Sequence, residues 1–270
     1  MKWAKRTAVI LALALAGCHS PPPGIPPAAE TVALRLLSTT ATAPLLHDLT
    51  EAYQQEHAEL RFAFRTSSGD YARMIDLLND TPPEEASYFL TNYLPPETAL
   101  WAAPIGYDPI AIVVHPENPV VELSLEQLEQ IFQGQLADWS AVGGENLPIT
   151  VVSRETGSGT RLALEATLPA SRRVTPGARL AFSSEAVIRI VGQERGAVGY
   201  VSAGLLDARV RPVALAGMLP SPLLTAYPLQ SPLLIVGRHE PEGDYRALIA
   251  WMQGPVGQAI VARRCLPLAR

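Results

Sequence analysis

Three observations predict an α/β fold in two lobes, each a mainly parallel sheet flanked by helices. Short β-branched runs alternate with amphipathic helical stretches from Thr31 onward, and several strand-to-helix junctions are rich in Ser, Thr and Gly. Two proline-bearing apolar stretches, "APIGYDPIAIVVHP" and "AYPLQSPLLIVG", stand far apart in the chain. Strand and helix in alternation is the pattern of layered α/β proteins. A pair of extended crossings is what a chain needs if it leaves one lobe, builds a second and returns to the first. Edge strands share that composition, so the crossings alone do not decide the point. With 48% hydrophobic and 17% charged residues, the 270-residue chain has enough apolar material for one large domain or two small ones.

Residues 1–17 read as an export signal. Lys2, Lys5 and Arg6 form a positive start, and residues 8–16 form an apolar stretch too short to span a bilayer. The end of this segment, "LAGC", resembles the lipobox of bacterial lipoproteins, which implies lipidation at Cys18 and a firm membrane anchor. Ordinary cleavage after "ALA" at 14–16 fits the small-x-small rule as well. Residues 18–30 carry the anchor and then a spacer with five prolines between Pro21 and Pro27, which favours an extended chain. Cys18 and Cys265 are the sole cysteines, so no disulfide framework is expected, and Cys265 reads as a buried small hydrophobe.

Strands are expected at residues 32–37, 60–65, 110–115, 149–153, 196–202 and 232–237. Helices are expected at 44–56, 70–79, 124–133, 160–168, 184–194 and 243–263, the last broken near Pro255. Ser124 with Gln127 fits a capping box, and Gly134 fits the residue just past that helix. Trp101, Trp139 and Trp251 sit in contexts of core or rim packing. Lobe one is assigned residues 31–108 plus 229–270, and lobe two residues 109–228. No stretch after the signal is long and apolar enough to cross a membrane as a helix.

The net charge of -5 lacks the basic excess expected of a nucleic-acid partner. His47, His57, His115 and His239 are scattered without a metal-ligand pair at helical spacing, so no metal and no cofactor is expected. "GSGTR" has no Lys where a Walker loop needs one, and its Gly-Ser-Gly spacing is not that of a serine-hydrolase elbow. The chain therefore reads as a binding protein and not as an enzyme.

The stretch "VVSRETGSGTRLALEA", residues 151–166, places Arg154 at a strand end and Gly157, Ser158, Gly159 and Thr160 at the mouth of a helix. The first amides of a helix have no partner within it, and the helix dipole is positive there, so an anion is held well. Glycine lets backbone approach the ligand, hydroxyls donate, and Arg154 offers a two-pronged fork. The same residues would also serve a tight turn with a hydroxyl cap and a solvated arginine. Two further junctions share the feature: Ser38, Thr39, Thr40 and Thr42 precede a helix that starts near Pro44, and Thr66, Ser67, Ser68 and Gly69 precede another. Parallel strands place their carboxyl ends on one side of a sheet, where three such mouths can surround one small anion.

On these residues the chain resembles the phosphate-binding, periplasmic-type substrate-binding proteins of ABC transporters, of the type II binding-protein fold. The resemblance spans nearly all of the mature chain. It is carried by "STTATAPLL", "TSSGDY", the run from "APIGYDPIAIVVHP" to "RETGSGTR", "GAVGYVS" and "YPLQSPLLIV", in that order. It implies two hinged lobes that enclose inorganic phosphate and pass it to ABC permease subunits, from a monomer anchored by lipid at the extracytoplasmic face of a membrane or in the periplasm. Position by position it implies Thr39, Thr40 and the Ala41 amide from the first loop, Ser67 and Ser68 from the second, and Arg154, Ser158, Gly159 and Thr160 from the third. Asn92 stands nearest to where family members place a charged ligand or neighbour, and Thr156 stands where many carry an acid beside the arginine. Glu155 is the adjacent substitute, with a different starting direction. A site selective for phosphate over sulfate also needs an acceptor for the phosphate proton, and Asp70 and Asp108 are candidates. The alternative is a sensor or adhesion lipoprotein that keeps the fold and binds another oxyanion or none.

Overall fold

The computed structural model describes residues 33–67, 71–80, 87–167 and 173–268. The export signal, Cys18, the proline spacer, Ser68, Gly69 and Asp70 lie outside the described residues. The chain opens with β1 (Ala33–Thr39), α1 (Ala43–Glu56), β2 (Arg61–Ser67), α2 (Tyr71–Asn79) and β3 (Ser87–Thr91). β1 pairs in parallel with β2 on one side and β3 on the other, so the carboxyl ends of all three strands point the same way. The long strand β4 (Trp101–Val114) follows.

β5 (Glu122–Leu123), α3 (Leu125–Phe132), β6 (Thr150–Arg154), α4 (Gly159–Thr167), β7 (Arg179–Ala181), α5 (Ser184–Gln193) and β8 (Ala197–Ser202) come next. Short strands β9 (Arg211–Pro212) and β10 (Ala214–Leu215) lead to β11 (Gln230–Gly237), and α6 (Gly243–Gln253) and α7 (Pro255–Val261) close the chain. The capping box of α3 is present, with Ser124 accepting from the Gln127 amide and Gln127 accepting from the Ser124 amide. Gly134 beyond it has φ of 76°, a left-handed position that suits glycine. The expected break near Pro255 falls at Gly254, between α6 and α7.

The main sheet runs β2-β1-β3-β11-β4-β8-β6-β7, with β9 also on β4, and β5 and β10 pair apart from it as a two-stranded sheet. Parallel pairs, β1 with β2 and β3, and β6 with β7 and β8, occupy the two ends. The centre is antiparallel, because the chain traverses β4 and β11 in opposite directions. β4 changes partner part-way: Trp101 to Pro109 pair with β11, and Ile110 to Val114 pair with β8. Strands β3, β5, β7, β9 and β10 extend the expected set, and four of these have three residues or fewer with no clear alternation to announce them.

Apolar side chains sort into clusters that do not mix across Asp108. One holds Leu34, Leu46, Leu49, Leu90, Ile105, Ile235, Met252 and Val261, drawn from β1, α1, β3, β4, β11, α6 and α7. Another holds Ile112, Leu128, Phe132, Trp139, Tyr200, Val213 and Leu229. A third lies under α5, with Val113, Val152, Val187, Val191 and Val201. In α1 the buried positions Leu45, Leu46, Leu49 and Tyr53 follow helical spacing, which seats one face on the sheet. Trp139 is fully buried with its Nε1 donating to the Gly196 carbonyl, and Trp101 and Trp251 pack against the first cluster. Cys265 is buried there too, and desolvation pushes its thiol far above the ordinary range.

Candidate functional site

At the end of β1 the hydroxyls do two different jobs. Thr42 donates its hydroxyl proton to the Leu90 carbonyl at 2.7 Å, so it must accept from the Thr39 hydroxyl, 3.0 Å away. Thr39 and Thr42 also take each other's amides, at 3.1 and 3.2 Å. With the Thr39 proton committed inside the loop, Thr39 shapes the turn and is not a free donor to a ligand. Thr42 precedes α1 without capping it, since its hydroxyl is spent on β3. Thr40 is left facing outward from this knot: its amide donates to the Ser67 carbonyl and its hydroxyl accepts from Arg154 Nη2 at 3.3 Å. Ala41 is buried beside it at the start of α1.

Ser67 ends β2 opposite Thr39 in the parallel register. Its Oγ is buried and has no hydrogen-bond partner. A buried hydroxyl without a partner is costly and uncommon, so its presence marks a place where a polar ligand belongs.

Arg154 ends β6 and is 1% exposed, one of the largest fully buried side chains in the molecule. Its backbone amide donates to the Tyr200 hydroxyl at 3.0 Å, and Tyr200 pairs in turn with Ser153 Oγ at 2.8 Å. Burial pushes Tyr200 up to about 12, so it stays a neutral strut. The guanidinium meets Glu155 side-on, with Nε donating to Oε2 at 2.9 Å and Nη2 donating to Oε1 at 2.8 Å. Glu155 thus reaches the arginine despite its different starting direction. Nη1 donates to Ser184 Oγ at 3.3 Å. A buried cation needs such partners to be tolerated, and the carboxylate supplies most of the compensation.

Past Glu155 the chain turns at Gly157, where φ is 91°, and enters α4 at Gly159. Ser158 and Thr160 are each 1% exposed. A Cβ on Gly159 would strike Asn92 Oδ1, so the glycine is required by close approach. Asn92, just after β3, is fully buried, and its Nδ2 donates to Thr160 Oγ1 at 3.2 Å and to Asp108 Oδ2 at 3.5 Å. Its Oδ1 has no partner. Asp108 on β4 is 1% exposed, and Ser202 Oγ donates to its Oδ1 at 2.5 Å. Burial raises the Asp108 carboxyl to about 7, against the weaker opposing pull of its hydrogen bonds to Ser202 and Asn92.

Thr40, Ser67, Asn92, Arg154, Ser158, Gly159 and Thr160 are buried or partly buried around the seam where Thr40 meets Arg154 and Asn92 meets Thr160. Asp108 lies behind Asn92, with both oxygens engaged, instead of among the donors. Sequence reasoning missed Ser184, Tyr200 and Ser202. Ser184 was within reach, because "FSSEAV" is another hydroxyl-rich helix mouth; the other two carried no local signal. Among the described residues no cluster of His, Cys, Asp or Glu is arranged to hold a metal ion.

The model of the PBP superfamily domain matches residues 26–253. The chain belongs to the PBP superfamily. A solved structure from Clostridium perfringens, of a protein assigned as a phosphate ABC transporter substrate-binding protein with bound phosphate, is similar over 88% of this PBP superfamily chain and 100% of its own, with TM-score 0.79 and 26% identity. An ABC-type phosphate transport receptor from Vibrio cholerae is similar over 87% of this chain and 100% of its own, with TM-score 0.69 and 27% identity. The phosphate-binding protein PstS of Bacillus subtilis is 32% identical over 117 residues. That stretch spans 41% of this chain and 37% of the curated relative's length. The fold of this PBP superfamily member is therefore the type II binding-protein fold seen in the phosphate-bound neighbour.

Proposed function

We propose that this chain captures inorganic phosphate between two lobes and delivers it to an ABC importer, without a catalytic step. The observation that carries the reading is the set of buried polar groups converging on Arg154, several of them from elements on opposite sides of β4. Thr40, the Ala41 amide and Ser67 supply one wall, Arg154, Ser158, Gly159 and Thr160 the other, and Asn92 the floor. Similarity to a phosphate-bound transporter component supports phosphate as the anion. In this reading residues 31–108 plus 229–270 and residues 109–228 move as lobes, and their closure dehydrates the anion and creates the form that a permease recognises. Lipid at Cys18 and the proline spacer would hold the binding unit, as a monomer, at the extracytoplasmic face.

Calorimetric titration of the full chain, stripped of carried-over anion, tests the reading. Phosphate is expected to bind, and Arg154→Ala is expected to lose about 1.5–3 kcal/mol, the scale of a charge-assisted hydrogen bond. Unchanged affinity in the variant, or no binding by the unaltered chain, overturns the assignment.

A further inference from the structure

The buried cluster behind the anion site contains a carboxylate that the donor set does not use. Asp108 sits on β4 where that strand passes from β11 to β8, and it touches one group from each side: Ser202 at the end of β8 and Asn92 after β3. Ser231, its partner across the β4 and β11 pair, is buried with an unpartnered Oγ. The arrangement has a direction. A carboxylate oxygen facing an amide accepts, so the group that Asn92 turns toward Asp108 Oδ2 is the NH2. The other acceptor within reach of that NH2 is Thr160 Oγ1. Both contacts lie on the Nδ2 side, so Oδ1 is driven to the opposite edge of the amide, against Gly159 in the first turn of α4, where it is buried without a partner. Asp108 Oδ2 accepts in this way whether or not the other oxygen carries a proton, because Ser202 Oγ can take either hydrogen-bonding role.

An amide presents either a donor edge or an acceptor edge, and the two edges have opposite preferences for anions. Phosphate near neutral pH carries at least one proton and can donate it to an acceptor. Sulfate carries none, so an acceptor facing it meets lone pairs with lone pairs. The same amide turned over would donate to both anions alike. Which edge faces the ligand therefore sets discrimination more than total affinity.

We propose that Asp108 is a positioning residue for specificity: it holds the Asn92 amide so that Oδ1, not Nδ2, meets the anion, and the site thereby prefers oxyanions that carry a proton. This rests on the oxyanion reading of the site and adds to it a cause of selection that lies outside the donor set. The uncharged Asn92 then serves as the proton acceptor without placing a second negative charge beside a bound anion.

The test is calorimetric titration of the full chain and its variants with phosphate and with sulfate at one pH near 7.5. For the unaltered chain, phosphate is expected to bind at least tenfold more tightly than sulfate. Asp108→Ala frees the amide, and the ratio should fall at least fivefold, chiefly through tighter sulfate binding. Asp108→Asn keeps an acceptor oxygen for Nδ2, and the ratio should return to within about twofold of the original. An unchanged ratio in folded Asp108→Ala overturns the proposal, as does an Asp108→Asn that fails to restore it. If Asp108→Ala does not fold, Asn92→Leu, of similar shape, supplies the decision: loss of the preference supports the proposal and a retained preference overturns it. Absence of binding of either anion to the unaltered chain would instead remove the oxyanion reading itself.

Discussion

Asp108 shows how a single buried group can matter to stability and to binding by separate routes. Its carboxyl is raised to about 7 from an ordinary 3.8 by desolvation. Between those values the folded chain keeps a proton that the unfolded chain has released, so raising the pH favours the unfolded state. The contribution of Asp108 to stability is therefore most favourable below about pH 4, declines as pH rises, and levels off above about pH 7. Asp108→Asn removes this slope. In denaturant unfolding at a series of pH values, its stability relative to the unaltered chain should grow from pH 4 to 7 by up to about 4 kcal/mol, the linkage equivalent of a shift of that size. A constant difference across that range would mean that the carboxyl is not held neutral by burial. Exposed Glu185 and Asp207, both lowered by hydrogen bonds from Arg209, are present in both proteins and cancel from the comparison.

At the same scale, Arg154 was legible in the sequence as the cation at the strand end that leads into a glycine-rich helix mouth, and the structure buries it among partners. Its steadying acid was not legible. Whether Glu155 reaches the guanidinium depends on a turn that begins at Glu155 and reverses through Gly157, and a residue pattern does not state that geometry. The engagement of Thr39 was not legible for a similar reason. Its type and position fit a donor, but its proton is taken by Thr42, whose own proton is taken by a neighbouring strand.

Elements position these residues through their apolar faces. α1 carries the Thr40 and Ala41 turn on its amino end and is fastened to the sheet by Leu45, Leu46, Leu49 and Tyr53. Leu49 is wholly buried, so Leu49→Ala removes contacts and leaves a cavity. A loss of about 2–5 kcal/mol is expected in chemical unfolding. Phosphate affinity should fall much less, because the turn is also tied to β2 and β3 by hydrogen bonds of its own. The helices were legible to within one or two residues because their apolar spacing, the α3 capping box and the proline starts are local signals. The short strands were not, since two- and three-residue ladders exist only through their partners.

For the whole molecule, the central issue is β4, one strand that belongs to two sheets' worth of neighbours. Apolar clusters form on either side of Asp108 but do not cross it, which leaves hydrogen bonds such as Thr40 with Arg154 and Asn92 with Thr160 to join the two sides at the site. Polar contacts of that kind are individually weak in water and can be exchanged for contacts with solvent. Small-angle scattering on the stripped chain should therefore show a smaller radius of gyration when phosphate is added, and Arg154→Ala should reduce the change. Equal curves with and without phosphate would mean that the two sides do not move as lobes.

Composition, the order of the helices, the two proline-bearing crossings and the hydroxyl-rich helix mouths are all local or patterned properties, and the sequence by itself determined them. These were enough for the fold class and for most of the residues around Arg154. The antiparallel centre of the sheet, the pairing of Arg154 with Glu155, the engagement of Thr39 by Thr42 and the placing of Asp108 behind Asn92 were decided by the tertiary structure. Each depends on which atoms far apart in the chain come within about 3 Å of one another, and a hydrogen bond is decided at that distance by geometry that residue type alone does not carry.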